Sequence, residues 1–264
     1  MHTLVHHGRE TAYRVSDRGG QGPTVCFVHG SGGSSAVWKA QHRMNDGYPV
    51  VTLDCSGHGD SEDADTRPGF ETLDAYADDV LAVIEETNAD VLVGHSLGGA
   101  VVQHLLLERS VDLDGIVLTG TGARLPVPVE LRSLFEGDDR ESLDAVIEYL
   151  HEPGRLFAEP DEDRRAVSAA ALRECGLNVH RRDFQTCHTF DVRDRLDDVT
   201  LPTLAVVGRA DQLTPPWYHR QLATTLPDCA FAAIEDAGHL LMLERPSAFN
   251  RAVERFLETL PAKR

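Results

Sequence analysis

Val91-Leu92-Val93-Gly94-His95-Ser96-Leu97-Gly98-Gly99 changes its hydrophobic period in the middle. Asp90-Val91-Leu92-Val93 is a short β-branched run of the kind that forms a buried parallel strand. After Ser96, the residues Leu97, Ala100, Val101, His104 and Leu105 recur at helical spacing. Ser96 therefore stands on a sharp strand-to-helix turn. Such a turn strains the backbone and leaves no room for side chains two residues to either side, where Gly94 and Gly98 fall. Its hydroxyl lies at a helix N-terminus, where free N–H groups and the helix dipole favour developing negative charge.

A bare G-x-S-x-G is a weak signal, since Gly and Ser are common enough for it to arise by chance in about one chain in ten of this length. The strand before it and the helix after it turn the pattern into a nucleophile elbow rather than a glycine turn with an idle serine. On the N-terminal side, Leu73, Tyr76, Ala77, Val80, Leu81 and Ile84 predict an amphipathic helix that feeds the Ser96 strand. Earlier still, residues 2–7 and 11–16 read as a hairpin turning at Gly8-Arg9, and Thr24 to Val28 and Val50 to Asp54 as buried strands. The first buried strand runs into His29-Gly30-Ser31-Gly32-Gly33-Ser34. This glycine cluster lacks both dinucleotide-loop spacing and a Walker lysine, so it serves better to bring backbone N–H groups close to Ser96. The second runs into Cys55-Ser56-Gly57-His58-Gly59-Asp60-Ser61, where His58 reads as a support of the turn.

On the C-terminal side, Gly115 to Gly120 is the next strand, and then regular alternation fails. Residues 122–199 hold short helical patterns, such as Leu143, Val146, Ile147 and Leu150, broken at Pro153-Gly154 and Pro160. They predict a helical lid inserted into a core of residues 1–121 and 200–264, with a separate small helical module as the alternative. Leu204 to Gly208 resumes the sheet and Ala230 to Ile234 ends it. Ser247 is the expected cap of a closing helix whose apolar face holds Phe249, Ala252, Val253, Phe256 and Leu260. The fold expected is α/β: a mostly parallel eight-stranded sheet with helices on both faces.

Composition narrows the function. A net charge of −18 argues against nucleic acid and anionic membranes as partners. The excess is spread out: residues 122–199 carry 18 acids and 11 arginines, net −7, which leaves −11 elsewhere. With 2 Lys against 23 Arg, the acidic surface resembles that of proteins from salt-loving organisms, or of an acidic protein from a GC-rich genome. No run approaches the roughly 18 apolar residues of a membrane helix, and the start lacks a signal-peptide pattern. Five scattered cysteines without C-x-x-C spacing point to reduced thiols and a cytoplasmic protein.

Ser96, Asp211 and His239 each follow a predicted strand, so all three should emerge at the carboxyl edge of the sheet, where ligands bind in such folds. A serine hydroxyl needs an imidazole to take its proton, and the imidazole needs a carboxylate to fix its tautomer. At G-H-S-L-G-G, H-G-S-G-G, D-C-S-G-H-G-D-S, G-R-A-D-Q-L-T-P and A-G-H-L-L-M-L-E-R-P the chain resembles the α/β-hydrolase family, over roughly residues 22–122 and 200–258. The resemblance implies Ser96 as nucleophile, His239 as base and Asp211 as orienting acid, with the N–H groups of Ser31 and Leu97 as oxyanion donors. It implies hydrolysis of a carboxylic ester through an acyl-enzyme. The alternatives are an enol-lactone or carbon–carbon bond hydrolase with the same triad, or a non-catalytic binding protein on the same fold. A serine at the elbow argues against dehalogenases and epoxide hydrolases, which use Asp there. Asp236, three residues before His239, is a weaker candidate acid. In the lid, Phe135 and Leu156 are candidates for contact with the substrate, whereas His188, Asp183 and Cys187 read as structural, with contact to the substrate as the alternative. The partner expected is a small ester or lactone, with no metal and no cofactor.

Overall fold

The computed structural model describes residues 1–137, 140–159 and 161–261, so the break expected at Pro160 lies outside the described residues. Eight strands form one sheet: β1 (His2–His6), β2 (Arg9–Ser16), β3 (Val25–Val28), β4 (Val50–Leu53), β5 (Val91–His95), β6 (Gly115–Thr119), β7 (Thr203–Gly208) and β8 (Cys229–Ile234). Their spatial order is β1-β2-β4-β3-β5-β6-β7-β8. The β1–β2 and β2–β4 pairs are antiparallel and all the others parallel. Successive strand residues point to opposite faces, and every residue of β3, β4, β5, β6 and β7 is buried. Both faces of the central sheet are therefore covered, as the continuous apolar runs require.

The strand order reverses at β3, which has β4 on one side and β5 on the other. Such a reversal opens a crevice beyond the carboxyl ends of the strands. Val28 pairs with Gly94, so the glycine loop after β3 and the Ser96 turn after β5 leave the sheet side by side. Helix α1 (Phe70–Thr87) feeds β5, and α2 (Leu97–Glu108) follows it. The expected face of α1 is buried at Leu73, Tyr76, Ala77, Val80 and Ile84, with Leu81 partly so.

Between β6 and β7 the described residues make four α-helices, α3 (Val129–Leu134), α4 (Arg140–Leu150), α5 (Glu162–Cys175) and α6 (Leu177–Thr189), followed by a 3-10 turn at Arg193–Asp198. Val146, Ile147 and Leu150 of α4 are buried, as their spacing predicts. The core resumes through β7, α7 (Pro216–Thr225), β8, α8 (Leu241–Glu244) and α9 (Pro246–Leu257).

Two local expectations need correction. The opening hairpin turns one residue early, at His7-Gly8, with φ of 47° and 78°. Positive φ at both central residues matches the right-handed twist of the flanking strands. Ser247 does not cap α9. The helix starts at Pro246, and its cap residue Arg245 makes no side-chain capping bond. Proline fits a first helical position because it has no N–H to leave unpaired there.

Gly98 shows how tightly α2 seats on the sheet. A Cβ there would lie 2.4 Å from the His29 carbonyl oxygen and 2.5 Å from that of Val28, both rigid backbone atoms. Gly98→Ala is expected to destabilise the protein by about 1–3 kcal/mol, read as a lower urea midpoint. An unchanged midpoint would show that the helix can lift without cost.

Candidate active site

Ser96 has φ 53° and ψ −118°, a conformation strained for any residue with a Cβ. The strain is held from several sides. Ser96 N donates to Thr119 O at 2.9 Å, Gly99 N donates back to Ser96 O at 2.9 Å, and Thr121 Oγ1 also donates to Ser96 O, at 2.8 Å. A Cβ on Gly94 would meet Gly98 O at 2.6 Å, so the two flanking glycines are required by close approach of backbone. The serine thus stands at the N-terminus of the twelve-residue α2, half-buried and facing a cavity.

Asp211 and His239 come from the loops after β7 and β8, adjacent parallel strands. His239 Nδ1 donates to Asp211 Oδ2 at 2.9 Å, so Nε2 is left as the acceptor that a nucleophile requires. The carboxylate is itself held. Its Oδ1 accepts from Leu213 N at 2.8 Å and Thr214 N at 2.9 Å, and its Oδ2 from Thr214 Oγ1 at 2.8 Å. Among the described residues no hydrogen bond joins Ser96 Oγ to His239, although both line one cavity. Such contacts often tighten only with substrate bound. Asp236 points away: its side chain is 80% exposed and faces Arg245 at 3.6 Å.

The loop that carries His239 is tied to the helical insertion. His239 N donates to Arg155 O at 3.0 Å and Leu240 N to Leu156 O at 2.8 Å. Glu244 joins the two segments, with Oε2 accepting from Gly238 N at 2.6 Å and Oε1 from Ala158 N at 3.0 Å. Burial raises its pKa above the ordinary glutamate value. Sequence reasoning passed over both Thr214 and Glu244. The first carried a local signal, a hydroxyl three residues after an aspartate in a loop, where turn bonding is common. The second carried none, because its partners lie on another segment.

Further histidines surround Ser96, Asp211 and His239. His95 Nε2 donates to the His239 carbonyl at 3.1 Å. Burial, and then the nearby His239, hold His95 well below the usual imidazole range, so it stays neutral. His219 Nε2 accepts from Thr121 N at 3.0 Å, and burial lowers its pKa to about 4. On the other side, the loop after β3 passes close to Ser96: a Cβ on Gly30 would lie 2.9 Å from Ser96 Cβ. Ser31 borders the same cavity, and its own hydroxyl is buried without a partner.

The cavity is narrow, about 90 Å³, and its walls are mostly aliphatic. The core contributes Val37 and Leu240, and the insertion contributes Leu125, Val127, Leu150 and Leu172. None of the described residues that line it is Lys or Arg. Leu156 lines it and Phe135 does not. Phe135 caps the short α3 and stacks on Phe184 at 5.3 Å between ring centres, and Phe184 is the ring that reaches the cavity. Cys187 also lines it, with a thiol pushed up by burial, while His188 Nδ1 accepts from Val127 N at 3.2 Å. Beside Leu156, Leu172 and Leu240 the cavity adjoins a wider apolar groove of about 450 Å³.

Comparison with known proteins agrees with this fold. The model of the alpha/beta hydrolase family matches residues 27–252. A candidate carbamate hydrolase of Agrobacterium fabrum is 29% identical, with 99% of each chain covered. A 2-hydroxy-6-oxononadienedioate/2-hydroxy-6-oxononatrienedioate hydrolase of Burkholderia vietnamiensis is 26% identical over 96% of this chain and 93% of its own. Among solved structures, a thermophilic esterase superposes with a TM-score of 0.82 at 27% identity, covering 98% of either chain.

Proposed function

The chain belongs to the alpha/beta hydrolase family, and from that premise we propose that it cleaves an uncharged carboxylic ester through Ser96, His239 and Asp211. The observation that carries this reading is the Asp211–His239 pair beside the strained Ser96, in a cavity with no Lys or Arg among its described lining residues. In the first half-reaction Ser96 Oγ attacks the ester carbonyl while His239 Nε2 takes its proton. The tetrahedral oxyanion is held by the N–H groups of Leu97 and Ser31. Collapse breaks the bond to the alcohol oxygen, which receives the proton from His239. Water then repeats the sequence on the acyl-enzyme and releases the acid. The insertion over residues 122–199 acts as a lid whose aliphatic residues, Leu156 among them, select the acyl group. Five unpaired cysteines, three of them buried, support a reducing, cytoplasmic setting.

The uncharged lining favours an ester over the substrates of the Burkholderia vietnamiensis relative, whose names specify dioates. A carboxylate carried into an aliphatic cavity without a cationic partner costs several kcal/mol. We therefore expect p-nitrophenyl butyrate to be turned over at least about tenfold faster, in kcat/KM, than the corresponding hemisuccinate, which ends in a carboxylate. The same samples, treated with a fluorophosphonate and digested, should carry the label on Ser96. Equal turnover of the two esters would remove the uncharged substrate class. A label that misses Ser96 in active protein would remove the serine mechanism.

A further inference from the structure

We propose that Asp183, a residue of the helical insertion, positions the Ser31 oxyanion donor through His58, His29 and the Gly30 peptide. The inference rests on the serine-hydrolase reading above. A trans peptide is planar, so the direction of one carbonyl sets the direction of the next residue's N–H. Gly30 O accepts from His29 Nδ1 at 2.8 Å and from Gly33 N at 3.0 Å. These two bonds fix the Gly30–Ser31 peptide and hence the direction of the Ser31 N–H, in the wall of the cavity that also holds Ser96.

His29 can donate from Nδ1 and accept at Nε2 in one neutral tautomer alone. That tautomer is selected, because Nε2 accepts from Cys55 N at 3.0 Å. The ring next to it, His58 at 4.8 Å between centres, has acceptors at both nitrogens. Its Nδ1 faces Ser56 O at 3.2 Å and its Nε2 faces Asp183 Oδ2 at 3.0 Å, an arrangement that requires the doubly protonated, cationic ring. Burial opposes that charge, but the Asp183 carboxylate, together with Cys175, raises His58 well above the ordinary imidazole value. Burial, and then the His58 charge, lower His29 to about 4 and keep it neutral.

Asp183 is fully buried on α6, 125 residues along the chain from His58. Its other oxygen accepts from Tyr76 Oη at 2.7 Å, and Tyr76 Oη in turn accepts from the Arg182 guanidinium at 3.1 Å. One turn earlier on the same helix, His180 packs onto Gly32, where a Cβ would lie 2.1 Å from His180 Cε1. Helix α6 therefore meets the oxyanion loop directly at Gly32, and reaches it a second time through His58, on the loop after β4, whose ring packs on His29. A buried ion pair that only fastened the insertion to the core would change stability and leave the chemical step alone.

The test uses the full chain with p-nitrophenyl butyrate and a fluorophosphonate. Asp183→Asn preserves shape and removes the charge, so kcat should fall about tenfold or more, below the roughly 10²–10³-fold that follows loss of an oxyanion donor. KM should stay within about threefold, and the rate of Ser96 phosphonylation should fall with kcat, because that reaction also builds negative charge at the donor. Tyr76→Phe removes one bond to the carboxylate and should lower both rates about threefold. Folded variants with unchanged kcat and phosphonylation rate, and only a lower Tm, would overturn the proposal. If Asp183→Asn does not fold, Tyr76→Phe decides by the same criterion. Wild-type protein that hydrolyses the ester without labelling at Ser96 would overturn the serine-hydrolase reading and this inference with it.

Discussion

Ser96→Ala is expected to lower ester turnover at least about 10³-fold while the far-UV spectrum stays that of the wild type. The loss is large because the proposed acyl-enzyme forms on the Ser96 hydroxyl itself. Thr119 and Thr121 support the turn from the next strand, and Thr121 Oγ1 is already bonded to Ser96 O. The same site gives a second reading from stability. At φ 53° a Cβ is strained, so Ala keeps the strain and Gly removes it. Ser96→Gly should be as inactive as Ser96→Ala yet unfold at a higher temperature. An alanine variant that keeps more than a tenth of the activity would displace Ser96 as nucleophile. A glycine variant less stable than the alanine one would mean that the backbone at Ser96 is not strained.

Asp211→Asn should cost about 10²–10⁴ in kcat, for a reason visible in the hydrogen bonds. The two backbone donors, Leu213 N and Thr214 N, converge on Oδ1, so the oxygen of an introduced amide would settle there. Its NH₂ group then occupies the Oδ2 position and faces His239 Nδ1. A donor at that place forces Nδ1 to accept and moves the ring proton to Nε2, where it blocks the approach of the Ser96 proton. Asp236→Asn, in an exposed side chain across the loop, should change kcat less than about twofold. Reversed effects would transfer the role of the acid to Asp236.

Much of the architecture was legible because it depends on short-range physics. All eight strands were anticipated within a residue or two at each end, and the α1 face and the α4 stripe follow directly from their periods. The errors were also local. The opening turn moved to His7-Gly8, and Pro246 took the first place in α9 that a Ser247 cap would have required. At the turn the positive φ of His7 and Gly8 suits the twist of the strands, and at α9 the missing N–H of proline suits the first helical position.

The candidate site divides along the same line. By itself the sequence determined that Ser96 sits on a glycine-flanked turn between a strand and a helix, because sterics within five residues allow little else. It also determined that Asp211 and His239 follow strands, since hydrophobic periods set where strands end. It could not determine which distant groups meet. The pairing of Val28 with Gly94 that lays the Gly30 peptide over Ser96 is a matter of sheet order and register. So is the meeting of Glu244 with Gly238 and Ala158, and that of Asp183 with His58. Phe135 and Leu156 looked alike in the sequence, yet one faces the cavity and the other backs Phe184. Periodicity shows which side of a helix is apolar; only packing in three dimensions decides whether that side meets the core or the substrate.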